Sequence, residues 1–190
     1  MHVSVFLLCH TVVCQQWSSH IRSGPTTARQ IASRPKLLEF QFVTGLAVHG
    51  EPGAPLTLKD SPFWTLTPSY SQNIHVHDLV ILAPMDRIGN TDGVNLDSCR
   101  NAVVENLRIN NSDDGVCMKS GLDGFGMNLA IPTENVLVRN ITCTAGGRCG
   151  FAIGSEMSGG VRNVTWVYCF AVSSVNMHAC MRDNLPADQR

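Results

Sequence analysis

Residues 73–81 read NIHVHDLVI, and this nine-residue pattern occurs four times in the chain. The other copies begin at Asn101 (NAVVENLRI), Asn135 (NVLVRNITC) and Asn163 (NVTWVYCFA). In each copy, apolar residues lie one, three, six and eight positions after the Asn. Alternation of this kind is typical of a strand with one buried face, and the phase shift after the second apolar position indicates a corner between two strands.

The spacing of these copies predicts the fold. They begin 28, 34 and 28 residues apart, and the longer step carries an insertion around residues 121–132. Units of this length, stacked with their inner faces aligned, form a right-handed, single-stranded parallel β-helix, so we predict an all-β solenoid. We expect the four Asn residues to stack as a ladder at one corner. We expect one interior column to contain Val76, Val104, Val138 and Trp166.

Domain organisation follows from the extent of the repeats. The pattern places a partial β-helix over residues 34–190, whereas residues 1–33 carry no repeat and read as a leader or disordered arm. The longest apolar run, residues 3–13, is shorter than the roughly 20 residues of a membrane span. Its length suits the apolar region of a degenerate signal peptide, although no Lys or Arg precedes it.

Composition excludes several classes of protein. The 190 residues are 44% apolar and 15% charged, which argues against intrinsic disorder. The 14 basic and 15 acidic side chains give no overall field for a nucleic acid or an acidic membrane surface, so neither partner is expected. Eight Cys residues without a CxxC pair do not predict structural zinc.

Acidic side chains cluster between the repeats. Asp92 lies in NTDG (90–93), and Asp113 and Asp114 follow in SDDG (112–115), 21 residues later. Adjacent coils lie about 4.8 Å apart, so the three carboxylates are expected to converge, and repulsion would raise the pKa of at least one. That arrangement suits glycoside hydrolysis by an acid and a water-activating base. Calcium binding and Asp-Gly turns at coil corners are the alternatives at this point.

Several motifs carry a resemblance to a known family. They are RPKLLEF (34–40), DSPFWTL (60–66), NTDG (90–93), DSC (97–99), the Asp113-Asp114 pair with KSG (119–121), and GFAIGSEMSGG (150–160). In this order the motifs resemble glycoside hydrolase family 28, the polygalacturonases and relatives that hydrolyse pectin, especially the plant and bacterial type. The resemblance covers about residues 34–170.

The resemblance implies an enzyme that hydrolyses α-1,4-galacturonosyl linkages with inversion. Asp113 would be the general acid, and Asp92 and Asp114 would hold and activate the water. Asn90, Lys119 and Arg148 are the candidate substrate-binding residues. The resemblance further implies a pectin oligosaccharide as partner, no metal or organic cofactor, a monomer, and a location outside the cell or in the cell wall.

Two departures from the family pattern qualify this expectation. Arg148 occupies the place of the family's His in a Gly-His-Gly motif, and Arg cannot exchange a proton near neutral pH as His does. The family's Arg-Ile-Lys motif does not follow Gly160. We therefore expect a truncated or divergent copy of the enzyme. A catalytically impaired pectin-binding fragment is the first alternative, and a calcium-dependent pectate lyase-like protein is the second.

Overall fold

Parallel strands wind into a right-handed β-helix, as the repeats predict. The computed structural model describes residues 3–5, 11–13, 35–51, 53–83, 89–145, 150–173 and 180–181. The elements are β1 (Val3–Val5), β2 (Thr11–Val13), β3 (Leu38–Gln41), β4 (Thr44–His49), β5 (Leu56–Lys59), β6 (Leu66–Ser69), β7 (Gln72–Ala83), β8 (Val94–Asp97), β9 (Arg100–Asn111), β10 (Val116–Lys119), α1 (Asp123–Leu129), β11 (Thr133–Ala145), β12 (Phe151–Ile153), β13 (Val161–Ser173) and β14 (Cys180–Met181).

The strands form two sheets that enclose one core. The first sheet has the order β1-β4-β7-β9-β11-β13, with β2 and β5 paired alongside, and the second has the order β3-β6-β8-β10-β12-β14. Every pairing between these strands is parallel, and from β7 onward the strands alternate between the two sheets. The core between the sheets is built from the apolar repeat positions.

The predicted interior column is confirmed. Val76 pairs in register with Val104, Val104 with Val138, and Val138 with Trp166. The three Val side chains are fully buried, and Trp166 packs against the same cluster in the outermost of these coils. Side chains from successive coils therefore stack directly, which is why an apolar residue is needed at the same place in each repeat.

The predicted Asn ladder is also confirmed. The Nδ2 group of Asn101 donates to Oδ1 of Asn73 over 3.2 Å, Asn135 donates to Asn101 over 3.2 Å, and Asn163 donates to Asn135 over 2.7 Å. All four residues have φ between 52° and 56°, in the left-handed region that Asn tolerates better than most residues. The amides therefore both turn the backbone and link the coils.

A second ladder, which the sequence reasoning did not predict, lies five positions further along each repeat. Asp78, Asn106 and Asn140 have φ of 53°, 57° and 52°, and Asn140 donates from Nδ2 to Oδ1 of Asn106 over 2.8 Å. This left-handed residue produces the phase shift seen in the sequence. The corner therefore lies within one continuous strand of 12 or 13 residues, and does not separate two strands.

Two short strands lie within residues 1–33. Val3 of β1 pairs with Leu46 of β4, and Thr11 of β2 pairs with Thr57 of β5, both in parallel. These pairings extend the first sheet at its edge. The division of the chain into a leader or arm and a β-helix stays a prediction.

The surface of the first sheet carries the two His residues of the opening repeat. His75 bonds through Nε2 to Glu105 over 2.6 Å, and His77 bonds through Nδ1 to Asp78 over 2.7 Å. Among the described residues, no group of three or more His, Cys, Asp or Glu side chains is arranged to hold a metal ion. No described helix is long and apolar enough to cross a membrane.

Candidate active site

The register of the second sheet brings Asp92 beside Asp114. Val94 pairs with Val116, so the coil advances by 22 residues here, and the Gly93 N–H donates to the carbonyl oxygen of Asp114 over 2.9 Å. The step is short because only residues 112–115 join β9 to β10, whereas residues 84–93 join β7 to β8. Asp92 is thus in register with Asp114, and Asp113 precedes it by one position, so the three predicted carboxylates come together.

Burial distinguishes these carboxylates from surface acids. Asp92, Asp113 and Asp114 are 3%, 5% and 8% exposed. Burial raises the pKa of Asp92 to about 7; Lys119 opposes this rise, whereas Asp113 and Asp114 add to it, and Asn95 lowers the pKa slightly. The two neighbouring carboxylates therefore act on Asp92 as the sequence reasoning expected of converging acids.

Hydrogen bonds in the adjoining turns fix the position of the three acids. Thr91 donates from its hydroxyl to the Ala83 carbonyl over 2.9 Å, and its Oγ1 lies 2.7 Å from the Ser112 hydroxyl. Asn111, which is 1% exposed, donates from Nδ2 to the carbonyl of Thr91 over 3.0 Å and to that of Asp114 over 2.7 Å. The turn before Asp92 and the turn around Asp114 are therefore held together as one unit.

The glycines that follow the acids allow the coils to approach closely. A Cβ at Gly93 would collide with the carbonyl oxygen of Gly115. A Cβ at Gly115 would lie 2.5 Å from Sγ of Cys143 and 2.6 Å from the carbonyl oxygen of Gly150. Neither glycine has positive φ, so both are required by packing between coils and not by turn conformation.

Lys119 occupies the interior of the site. Its Nζ donates to Oε2 of Glu156 over 2.6 Å and to the Gly154 carbonyl over 3.3 Å, and lies 3.8 Å from Oδ2 of Asp92. The ammonium group also lies 4.6 Å from the ring centroid of Trp64. Burial alone would lower the pKa of Lys119, but Cys117, Asp92 and Glu156 raise that pKa above the ordinary value. Lys119 is therefore a cation throughout the working pH range.

Of the predicted substrate-binding residues other than Lys119, the structure describes Asn90 and does not describe Arg148. Asn90 is half-buried, has φ of 64°, and lies two residues before Asp92. Arg148 lies outside the described residues.

The sequence reasoning missed Glu156 as the partner of Lys119, although it singled out the GSEMSGG motif, because 37 residues separate the two side chains. The insertion at residues 121–132 was the one available signal for this contact. It lengthens the coil so that β10 pairs with β12 across a step of 35 residues.

The arrangement is chemically suited to acid–base work. The raised pKa of Asp92, about 7, lies near neutral pH, two further carboxylates act on it from the neighbouring coil, and the Lys119 cation balances part of the charge. Acid–base hydrolysis of a glycosidic bond needs such a division between a carboxyl that donates a proton and a carboxylate that accepts one.

Known proteins with similar sequences cover most of this chain. A probable polygalacturonase of Vitis vinifera is 39% identical over 142 residues, which are 75% of this chain and 28% of that protein. A probable rhamnogalacturonase A of Aspergillus oryzae is 32% identical over 64% of this chain and 21% of that protein. The chain thus spans less than a third of the length of these relatives.

Structural and family comparisons agree with these relatives. The crystal structure of a hyperthermoactive exopolygalacturonase from Thermotoga maritima matches with a TM-score of 0.65 and 33% identity, over 72% of this chain and 29% of that one. The sequence profile described as "Glycosyl hydrolases family 28" matches residues 6–181. The match extends over most of the chain and includes the stacked coils and all three aspartates. The chain therefore belongs to glycosyl hydrolase family 28.

Proposed function

We propose that this chain carries the catalytic coils of a pectin hydrolase that cleaves α-1,4-galacturonosyl linkages with inversion. The observation that supports this most directly is the stacking of Asp92 on Asp114, with Asp113 beside them, in a buried cluster that raises the pKa of Asp92 to about 7. Asp113 and Asp114 both act electrostatically on Asp92 and raise its pKa. A site of this kind can both donate and accept a proton.

The roles proposed for the trio follow the inverting pathway. Asp113 transfers its proton to the glycosidic oxygen as the bond from that oxygen to the anomeric carbon breaks. A water held by Asp92 and Asp114 attacks the anomeric carbon from the opposite face and transfers a proton to one of these carboxylates. The trio thus loses one proton and regains one, and the bond is hydrolysed. Asn90 and Arg148 are proposed to contact the uronate substrate.

The proposed substrate is the galacturonate-rich backbone of pectin. The Vitis relative is named as a probable polygalacturonase and the Thermotoga structure as an exopolygalacturonase, which favours polygalacturonate. The Aspergillus relative, named as a probable rhamnogalacturonase, favours a rhamnogalacturonan backbone as the second candidate. We propose that the protein acts as a monomer outside the cell or in the cell wall, where pectin is found.

Reducing-end release from polygalacturonate and from rhamnogalacturonan tests the proposal. The unmodified chain should exceed Asp113→Asn on one of the two substrates, and NMR of the first product should give the inverted anomer. Arg148→His should raise the rate, because His can exchange a proton near neutral pH. Binding without release above the Asp113→Asn blank would favour the impaired pectin-binding alternative. Calcium-dependent formation of unsaturated uronates would favour the lyase.

A further inference from the structure

The ammonium group of Lys119 is engaged entirely within the fold. Lys119 is 4% exposed, and its Nζ faces Glu156 at 2.6 Å, the Gly154 carbonyl at 3.3 Å and Asp92 at 3.8 Å. An ammonium has three donor directions; Glu156 and the Gly154 carbonyl accept two hydrogen bonds, and Asp92 at 3.8 Å is an ion-pair neighbour. A substrate carboxylate would have to displace one of these partners to reach Nζ.

The partners of Lys119 come from different coils. Trp64 precedes β6, Asp92 precedes β8, Lys119 ends β10, and Glu156 follows β12. The half-buried Trp64 ring contacts Nζ at 4.6 Å in a cation–π interaction. Lys119 therefore connects four successive coils of the second sheet at the position of the aspartate trio.

Among the residues that the structure describes, three charged side chains act on Asp92. Asp113 and Asp114 act on it from the neighbouring coil, and Lys119 is the cation that opposes them. Glu156 also acts on Lys119, and Cys117 and Asp97 lie within electrostatic reach of Lys119. Because Lys119 stands between Glu156 and Asp92, the two carboxylates share its charge.

We propose that Lys119 is a positioning residue that acts through Asp92: its buried ammonium favours the carboxylate form of Asp92 and holds that side chain in place, and does not contact the substrate. This assignment replaces the substrate contact expected of Lys119 from the sequence. Its catalytic consequence rests on the proposed function, because an ionised Asp92 is needed to activate water. Its effect on the pKa of Asp92 can be measured whether or not the chain hydrolyses a substrate.

The proposal predicts pKa shifts of opposite sign at Asp92. Lys119→Met removes the cation and keeps most of the side-chain volume, so the pKa of Asp92 should rise by about one pH unit or more. Glu156→Gln removes the competing carboxylate, so Lys119 should act more strongly on Asp92 and lower its pKa. Lys36→Met is the matched control, since Lys36 also lies over the Trp64 ring, at 5.3 Å, but does not contact Asp92.

Carboxyl ¹³C NMR titration of the full chain tests these shifts, with Asp92→Asn to assign the resonance. An upward shift in Lys119→Met and a downward shift in Glu156→Gln support the proposal, and no shift in either variant overturns it. If Lys119→Met does not fold, Lys119→Gln, which also removes the charge, takes its place in the titration. Expected kinetics on the active substrate are a kcat at least about tenfold lower in Lys119→Met, with KM changed less than twofold.

The kinetic readout separates positioning from substrate binding. A large rise in KM for Lys119→Met, with an unmoved Asp92 titration, would restore Lys119 as a substrate ligand. Lys119→Arg keeps the charge and should retain an Asp92 titration near that of the unmodified chain. An unmodified chain without turnover but with the predicted NMR shifts would contradict the proposed function and leave the role of Lys119 supported.

Discussion

Oδ2 of Asp92 lies 3.8 Å from Nζ of Lys119, and both side chains are almost completely buried. Burial nevertheless raises the pKa of Asp92 to about 7. The attraction of one cation therefore offsets only part of the cost of removing this carboxylate from water beside two others. Ionised Asp92 therefore lowers the free energy of unfolding, and the loss should depend on pH.

We expect Asp92→Asn to make the chain more stable at pH 8. The folded-state pKa of Asp92 is raised above its unfolded value, so the stability associated with this group is present at acid pH and is lost as pH rises from about 4 through 7. A difference of about three pH units corresponds to at most about 4 kcal/mol. Urea denaturation at pH 4 and pH 8 measures it. The exposed Asp60→Asn is the control, and a less stable Asp92→Asn at pH 8 would contradict the prediction.

The Asn ladder predicts a graded loss of stability. Asn101 donates one ladder bond and accepts another, whereas Asn163 donates one. Asn101→Ala should cost about 2–3 kcal/mol, from two lost hydrogen bonds and a strained left-handed Ala. Asn163→Ala should cost about 1 kcal/mol less, and Asn101→Gly should cost less than Asn101→Ala because Gly tolerates positive φ. Equal unfolding midpoints for Asn101→Ala and Asn163→Ala would refute the ladder's contribution.

Glycine packing between coils predicts a contrast between two substitutions. Gly93→Ala should destabilise the chain by about 1–3 kcal/mol and reduce activity, because the new Cβ collides with the Gly115 carbonyl and displaces the turn of Asp92. Gly124→Ala, in α1 with open space around it, should stabilise the chain by about 0.5–1 kcal/mol. Urea denaturation and hydrolysis assays on both variants check this. A neutral Gly93→Ala would mean that the coils can separate without cost.

Thiol reactivity should follow burial. Cys99, Cys117 and Cys143 are fully buried free thiols, and burial raises the pKa of Cys99 and of Cys143 to about 12 and that of Cys117 also upward. Because the thiolate is the reactive form, these three should resist alkylation in the native chain at pH 8. Mass-spectrometric mapping should find them labelled only after denaturation, and Cys169, which is partly exposed, labelled earlier. Rapid native labelling of Cys117 would indicate opening beside Lys119.

The core could be predicted from the sequence because a solenoid repeats in one dimension. Each coil needs an apolar residue at the same interior place, so Val76, Val104 and Val138 recur at the spacing of the coils. The Asn ladder was predictable for the same reason. The aspartate trio was predictable as a cluster, because sequence distances near one coil translate into spatial neighbours.

The contacts that cross coils of unequal length could not be predicted in this way. Lys119 and Glu156 meet only because the coil containing α1 advances by 35 residues, and no local pattern reveals that step. The second ladder was missed for another reason. Asp78 and Asn106 look like ordinary outward polar residues within a strand, and only their positive φ identifies a corner.

The unequal coils have a consequence for how this scaffold can diversify. The short step into β10 and the long step out of it leave the strand registers on both sides intact. Length changes at this corner are therefore absorbed outside the sheet, and α1 projects its exposed Phe125, Met127 and Leu129 from the segment that follows Lys119. Insertion, deletion or loop grafting at α1 should therefore leave Asp92, Asp113 and Asp114 in their positions. Variation in coil length and the placement of the three aspartates are thus carried by separable parts of the coil.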